Sequence, residues 1–410
     1  MRAIVYEDGR HRTFGPLTLL RAEFELRCGA VSLLDKLRLR RPGWTVGAIT
    51  RPELEGVVGE RVPDLAPIAS GEESTVFLCA RVIVDDRLLE SIESLDGEAI
   101  LTSGGSVIGA RVERGVGEVV ARVREVGEPG RSDLDRSIEL PARVVEYPWE
   151  LVRLTGEEIE RDAPYVTRLG QIEGTAEECA HLVRPSRISV GPGSAVACGA
   201  VLDATSGPIV VGADVNVMSN AVVYGPAYIG DGCLVKVGAK VYGGTSIGPV
   251  CKVGGEIEGC VFQGWSNKQH EGFLGHSYVG SWVNLGAATD NSDLKNNYEP
   301  VRVRIGGRPV DTGEAFVGSV IGDHTKTAIG TKLNTGTVIG IFCNVLSYGF
   351  PPNALRSFSW GTGRAFGLHD IEKALTTARR VMARRGIDLS KAEESLIRGV
   401  YDATRGGAKK

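Results

Sequence analysis

Val211, Val217, Val223, Ile229, Val235, Val241, Ile247 and Val253 fall six residues apart without an exception. The beat returns at Phe273, Val279 and Leu285, and again at Ile321, Thr327, Leu333, Ile339 and Val345. An earlier trace is Val190, Val196 and Leu202. A helix repeats at about 3.6 residues and a strand at 2, so neither accounts for this period. A hexapeptide repeat marks a parallel β-helix, in which each unit is one flat face and one corner. Three faces close a coil of about 18 residues, and each inward aliphatic stacks on its counterpart one coil away. Glycine follows the aliphatic at Gly191, Gly212, Gly230, Gly248, Gly254, Gly280, Gly286, Gly322 and Gly340, where a tight corner needs its backbone freedom. A Val-rich β-sandwich is the competing fold; eight consecutive hits in one phase argue against it.

The beat occupies only part of 410 residues, a length that suits two or three domains. Residues 1–175 lack it. There Thr75–Val84 and Ala142–Glu146 read as strands, Arg87–Ser94 as a short helix and Gly127–Ser132 as a loop, so an α/β domain is expected. Residues 180–349 form the β-helix, interrupted at Ala287–Ala315, where polar residues gather. A long polar break in a regular solenoid is a functional loop or a disordered one. Residues 350–410 read as a helical extension. Asp370 caps a helix carrying Ile371, Leu375, Ala378 and Met382, which Gly386 stops, and Ser390 with Glu393 forms a capping box for a second helix. The tail RGGAKK reads as frayed.

A net charge of −4 argues against a nucleic-acid binder. The start MRAIVYEDGRHRT has no apolar signal core, and no apolar run reaches the length of about 18 that spans a membrane, so a cytoplasmic protein is expected. The eight cysteines contain no CxxC pair and read mostly as small core residues of a reducing compartment.

Polar chemistry concentrates in Asn267–His276, in Val283–Ala287 and at Asn296-Asn297-Tyr298. A smooth solenoid face needs no such cluster, although a single Asn can stack in a ladder or take a corner. The phrases GWSNKQHEGFLGHSYVGSWVNLGA and NNYEPVRV, followed by Phe316-Val317-Gly318-Ser319, resemble the acetyltransferase half of the bifunctional enzyme of UDP-N-acetylglucosamine synthesis, and more closely a divergent branch of it. The resemblance is specific over about residues 250–345. It implies a left-handed parallel β-helix that forms a homotrimer with acyl-transfer sites between subunits. It also implies acetyl transfer from acetyl-CoA to an amino-sugar 1-phosphate such as glucosamine-1-phosphate. By the same resemblance His270 is the general base, which suits a histidine's ordinary pKa near 6.5. Glu256 is then a carboxylate beside sugar and base, and Asn284, Asn297 and Tyr298 contact sugar and phosphate. Ala287 and Ser319 lie toward acetyl-CoA, where backbone N–H groups could hold the thioester oxyanion. Arg302 or Arg304 could grip the phosphate as a planar fork. Glu258 stands where the family has a lysine and Phe273 where it has a tyrosine, which leaves the sugar open. Zinc held by His270, His276 and His324, as in a β-helical carbonic anhydrase, is a weaker reading, because a spacing of six puts the first two on different faces.

The opening residues resemble the altered nucleotidyltransferase domain of the same branch. Asp8-Gly9-Arg10, Arg12 and Phe14-Gly15-Pro16-Leu17-Thr18 follow that order, with Arg21 and Lys36 downstream, but the Gly-rich loop is nearly absent. The resemblance implies a nucleoside triphosphate held by Arg10, Arg12, Thr18 and Arg21, and Mg2+ on Asp85 and Asp86. The plain alternative is an exposed turn. The combined expectation is an enzyme making a nucleotide-activated N-acetyl sugar. The alternatives are an acetyltransferase on another amino sugar with an inactive first domain, or a β-helix that binds sugar phosphate without turnover.

Overall fold

The computed structural model describes residues 1–68, 74–346, 349–363 and 365–407. It divides into two compact units. The first comprises Met1–Phe14, Leu20–Leu26 and Val31–Tyr147; the second comprises Gly15–Leu19, Arg27–Ala30 and Pro148–Lys410. The division falls at Tyr147/Pro148, earlier than residue 175, because helix Pro148–Val166 groups with the solenoid.

The first unit is built on a six-stranded sheet. Strand Arg2–Tyr6 lies between Thr45–Ile49 and Thr75–Cys79, parallel to both. Ser106–Val112 then runs antiparallel to Thr75–Cys79, and Ala99–Ser103 and Ser137–Glu139 follow outward. Residues 2–6 and 75–79 are buried throughout, as a central strand covered on both faces requires. The expected strand over 75–84 is two strands with a turn at Ala80-Arg81, and the short helix is Asp86–Glu93.

The second unit is a parallel solenoid. One face is a nine-stranded sheet running from Ile188–Val190 to Ala354–Leu355. Successive coils pair in parallel register, with Val217 beside Val235 and Val235 beside Val253. The inward residues make one continuous core from Ile188 to Leu355. Coil strands begin at Thr175–Ala176 and continue to Ser359–Thr362, beyond the expected 180–349. Pro351-Pro352 does not end the solenoid: Leu355 still registers with Ile339. The break at 287–315 is also shorter than expected. Asp290-Asn291 is a coil strand paired with Lys332-Leu333, and what leaves the coil is a segment carrying the hairpin Arg302–Ile305/Arg308–Asp311.

Helix Ile371–Ala383 is capped by Asp370, whose carboxylate accepts from the Lys373 N–H at 3.0 Å. In helix Lys391–Gly407, the Ser390 hydroxyl accepts from the Glu393 N–H and the Glu393 carboxylate accepts from the Ser390 N–H. That helix runs through Arg405 and Gly406 where fraying was expected; residues 408–410 lie outside the described residues. Six cysteines are buried thiols, as expected for core residues. Cys179 and Cys198 instead form a disulfide, Cα to Cα 4.8 Å, because a separation of 19 stacks them on neighbouring coils. Among the described residues no helix is long and apolar enough to cross a membrane.

Candidate functional site

In the solenoid, His270 sits on the turn between strands Asn267-Lys268 and Phe273–Gly275, which belong to two different faces. Its side chain is exposed. The turn is held from inside. Lys268 registers with Val253, an inward position, and is itself 1% exposed. Its Nζ donates to the carbonyls of Gly254 (2.9 Å), His270 (3.0 Å) and Gly272 (2.6 Å). Burial lowers the Lys268 ammonium to about 8.

Glu256 lies on the face that follows the turn, one coil before Phe273, with which it registers. Asn284 lies on the face that precedes it, registered with Asn267, whose Nδ2 donates to the Asn284 Oδ1 at 3.4 Å. The two expected sugar contacts therefore flank the His270 corner from opposite faces. Ala287 occupies the same corner one coil on: the N–H of the adjacent Ala288 donates to the Glu271 carbonyl. Asn297 and Arg302 line a groove of about 570 Å³ together with Lys295 and Asn334. Tyr298 is 75% exposed nearby in the chain. Ser319 does not join this set. It is 1% exposed at the next corner, and its N–H donates to the Ser277 hydroxyl at 2.8 Å, so that N–H is not available to a thioester oxygen.

Two neighbours of the turn, Asn291 and Asp290, escaped the sequence reading. Asn291 takes an inward position, its Oδ1 accepting from the Gly275 N–H (2.7 Å) and its Nδ2 donating to the Gly275 carbonyl (3.0 Å). Asp290 accepts from the Phe273 N–H at 2.6 Å and pairs with Lys332. His276 is hydrogen-bonded through Nδ1 to Asp293 at 2.8 Å and lies against Phe316, so it joins both ends of the excursion to the coil. His324 stacks between Trp282 and Phe342. With His276 on Asp293 and His324 in an aromatic column, the three histidines take separate places. The described residues contain no cluster of three potential metal ligands.

In the first unit, the carboxyl ends of the three parallel strands converge, the place where open α/β sheets bind ligands. Glu7 and Asp8 follow Arg2–Tyr6, Arg51 follows Thr45–Ile49, and Arg81 follows Thr75–Cys79. Arg51 donates to the Glu7 carboxylate (3.1 Å), and the Arg81 Nε donates to that of Asp8 (3.0 Å). Glu23 is buried beside them, with no hydrogen-bond partner on either carboxylate oxygen. Its pKa is pushed well up by burial and then by Asp8 and Glu7. Arg10 and Arg12 are exposed on the 3-10 turn Gly9–Phe14 at this edge, Arg10 being 3.7 Å from Glu146. Arg21 and Thr18 are buried, at 4% and 3% exposure. Arg10 and Arg12 are thus exposed, whereas the Arg21 side chain is enclosed; Thr18 belongs to the second unit. Asp85 and Asp86, expected to hold Mg2+, stand at the start of helix Asp86–Glu93. Asp85 caps helix Asp86–Glu93 by accepting from the Leu88 N–H (2.9 Å), and Asp86 pairs with Arg41 (3.1 Å).

Residues 3–169 match the family model described as sugar nucleotidyl transferase. The chain is 34% identical over 96 residues to the bifunctional protein GlmU of Methanococcus vannielii, covering 22% of this chain and 23% of that one. It is 27% identical over 111 residues to a bifunctional sugar-1-phosphate nucleotidylyltransferase/acetyltransferase of Sulfurisphaera tokodaii, covering 27% and 26%. The chain thus spans about a quarter of the length of these curated relatives. Among solved structures it is similar to an Arabidopsis UDP-N-acetylglucosamine acyltransferase (12% identity, 52% of this chain and 78% of that one, TM-score 0.23). It is similar also to a variant of the Bacillus cereus N-acyltransferase AntD in complex with dTDP and coenzyme A (10% identity, 52% and 90%, TM-score 0.19). At those scores neither likeness carries weight.

Proposed function

We propose that the solenoid transfers an acetyl group from acetyl-CoA to the amine of an amino-sugar 1-phosphate, glucosamine-1-phosphate first among them. We propose further that the first unit couples the acetylated sugar phosphate to a nucleotide, as in UDP-N-acetylglucosamine. The observation that carries the reading is the exposed His270 on a turn secured by a buried lysine, with Glu256 on the adjoining face. The matches to bifunctional transferases support it.

The amine nitrogen attacks the thioester carbonyl, and the C–S bond breaks as the tetrahedral intermediate collapses. His270 accepts the amine proton and returns it to the departing thiolate. Glu256 is suited to orient the sugar or the imidazole. Arg302 and Asn297, sharing one groove, suit a phosphate. A homotrimer, with neighbouring subunits completing each site, belongs to the same proposal. In the first unit Arg10 and Arg12, both exposed, would meet the triphosphate. The test is release of free thiol from acetyl-CoA across a panel of amino-sugar 1-phosphates. Release with one member supports the reading, and silence across the panel opposes it.

A further inference from the structure

We infer that Lys268 is a positioning residue whose buried ammonium fixes the turn that presents His270. This rests on the acetyl-transfer reading and adds the element that aims its base.

Lysine is out of place where it stands. The neighbouring inward positions hold Val253 and Leu285, both in the apolar core. A buried charge is costly unless its hydrogen bonds are made. Here all three ammonium N–H groups have acceptors, and all three are backbone carbonyls. Two belong to the turn, at His270 and Gly272, and the third to the previous coil, at Gly254. One side chain therefore ties the histidine's own peptide unit to the coil beneath it.

The local coil is built around that ammonium. Lys268 registers with Val253 after 15 residues, whereas Val253 registers with Val235 after 18. Carbonyls from this coil and from the turn after it face the ammonium, and Gly255 leaves the room for it. A Cβ on Gly255 would lie 2.8 Å from the Lys268 Nζ, 2.7 Å from the His270 carbonyl and 2.8 Å from that of Gly272, at a φ of +69°. His270 has no side-chain hydrogen bond among the described residues, so its ring is directed through its backbone. Misplacing a reacting group by about 1 Å can cost on the order of 10²-fold in rate.

The experiment is steady-state thiol release with acetyl-CoA and glucosamine-1-phosphate, using the full chain, Lys268→Met, Lys268→Gln and His270→Ala. Methionine keeps the volume and removes the donors; glutamine restores part of them. The expected result is a kcat reduced roughly 10–100-fold in Lys268→Met, with KM for both substrates within about twofold of wild type and a smaller loss in Lys268→Gln. Each variant should still melt cooperatively. Wild-type kcat in Lys268→Met beside an inactive His270→Ala would overturn the positioning role and leave the acetyl-transfer reading standing. Wild-type turnover in His270→Ala would remove the reading itself. A raised KM at unchanged kcat, or failure of both lysine variants to fold, would make Lys268 a binding or folding residue and overturn the inference.

Discussion

His270 stood out in the sequence because the phrase around it, GWSNKQHEGFLGHSYVGSWVNLGA, gathers histidines and asparagines that a smooth solenoid face does not need. Lys268 sits in the same phrase and was not legible. The hexapeptide phase lapses between Val253 and Phe273, so nothing in the chain marked position 268 as inward. Asn291 was missed for another reason: it stands six residues after Leu285, in phase, but a polar residue in a polar stretch reads as loop. The buried lysine has a pH signature. Burial lowers its pKa from 10.5 to about 8. Between those values the unfolded chain binds the proton that the folded chain has released, so this group's contribution to stability rises with pH. The melting temperature of wild type relative to Lys268→Met should therefore climb from pH 7.5 to 10, by the equivalent of at most about 3 kcal/mol. A difference independent of pH would mean the amine is not depressed.

The solenoid followed from one period, and its limits were harder to see than its existence. Ile172 packs against the core at one end, 18 residues before its partner Val190 and in phase with it but isolated from the run, whereas Leu355 at the other end lies 16 residues after Ile339 and breaks the phase. The pairing of Cys179 with Cys198 depends on coil geometry that no local motif announces. Corner glycines carry the close packing between coils. Gly318, where the chain returns from the hairpin, has no room for a side chain: a Cβ would fall 1.9 Å from the Gly275 carbonyl oxygen. Gly318→Ala should lower unfolding free energy by about 2–4 kcal/mol. Gly399 lies in helix Lys391–Gly407 with nothing within 4 Å of an added Cβ, and Gly399→Ala should stabilise by about 0.5–1 kcal/mol. Urea midpoints compare the two; equal shifts would show that the coil contact is not what holds Gly318.

Over the whole chain, the β-helix was read more fully than the first unit. A solenoid repeats its rule every coil, whereas an α/β sheet states each strand once. The site at the ends of its parallel strands joins Glu7, Asp8, Glu23, Arg51 and Arg81 from distant segments, and their convergence exists only in the fold. Pyrophosphate release from nucleoside triphosphates with N-acetylglucosamine-1-phosphate tests that unit. Release that falls at least roughly tenfold in Arg10→Ala is expected; none from any triphosphate would leave the unit without nucleotidyl transfer. The central claim is acetyl transfer through His270, and the direct measurement is thiol release by wild type and His270→Ala at matched melting temperature. The account predicts a loss of roughly 10²–10⁴-fold in the variant. Equal rates in the two proteins, or no thiol released by wild type with any amino-sugar 1-phosphate, would contradict it.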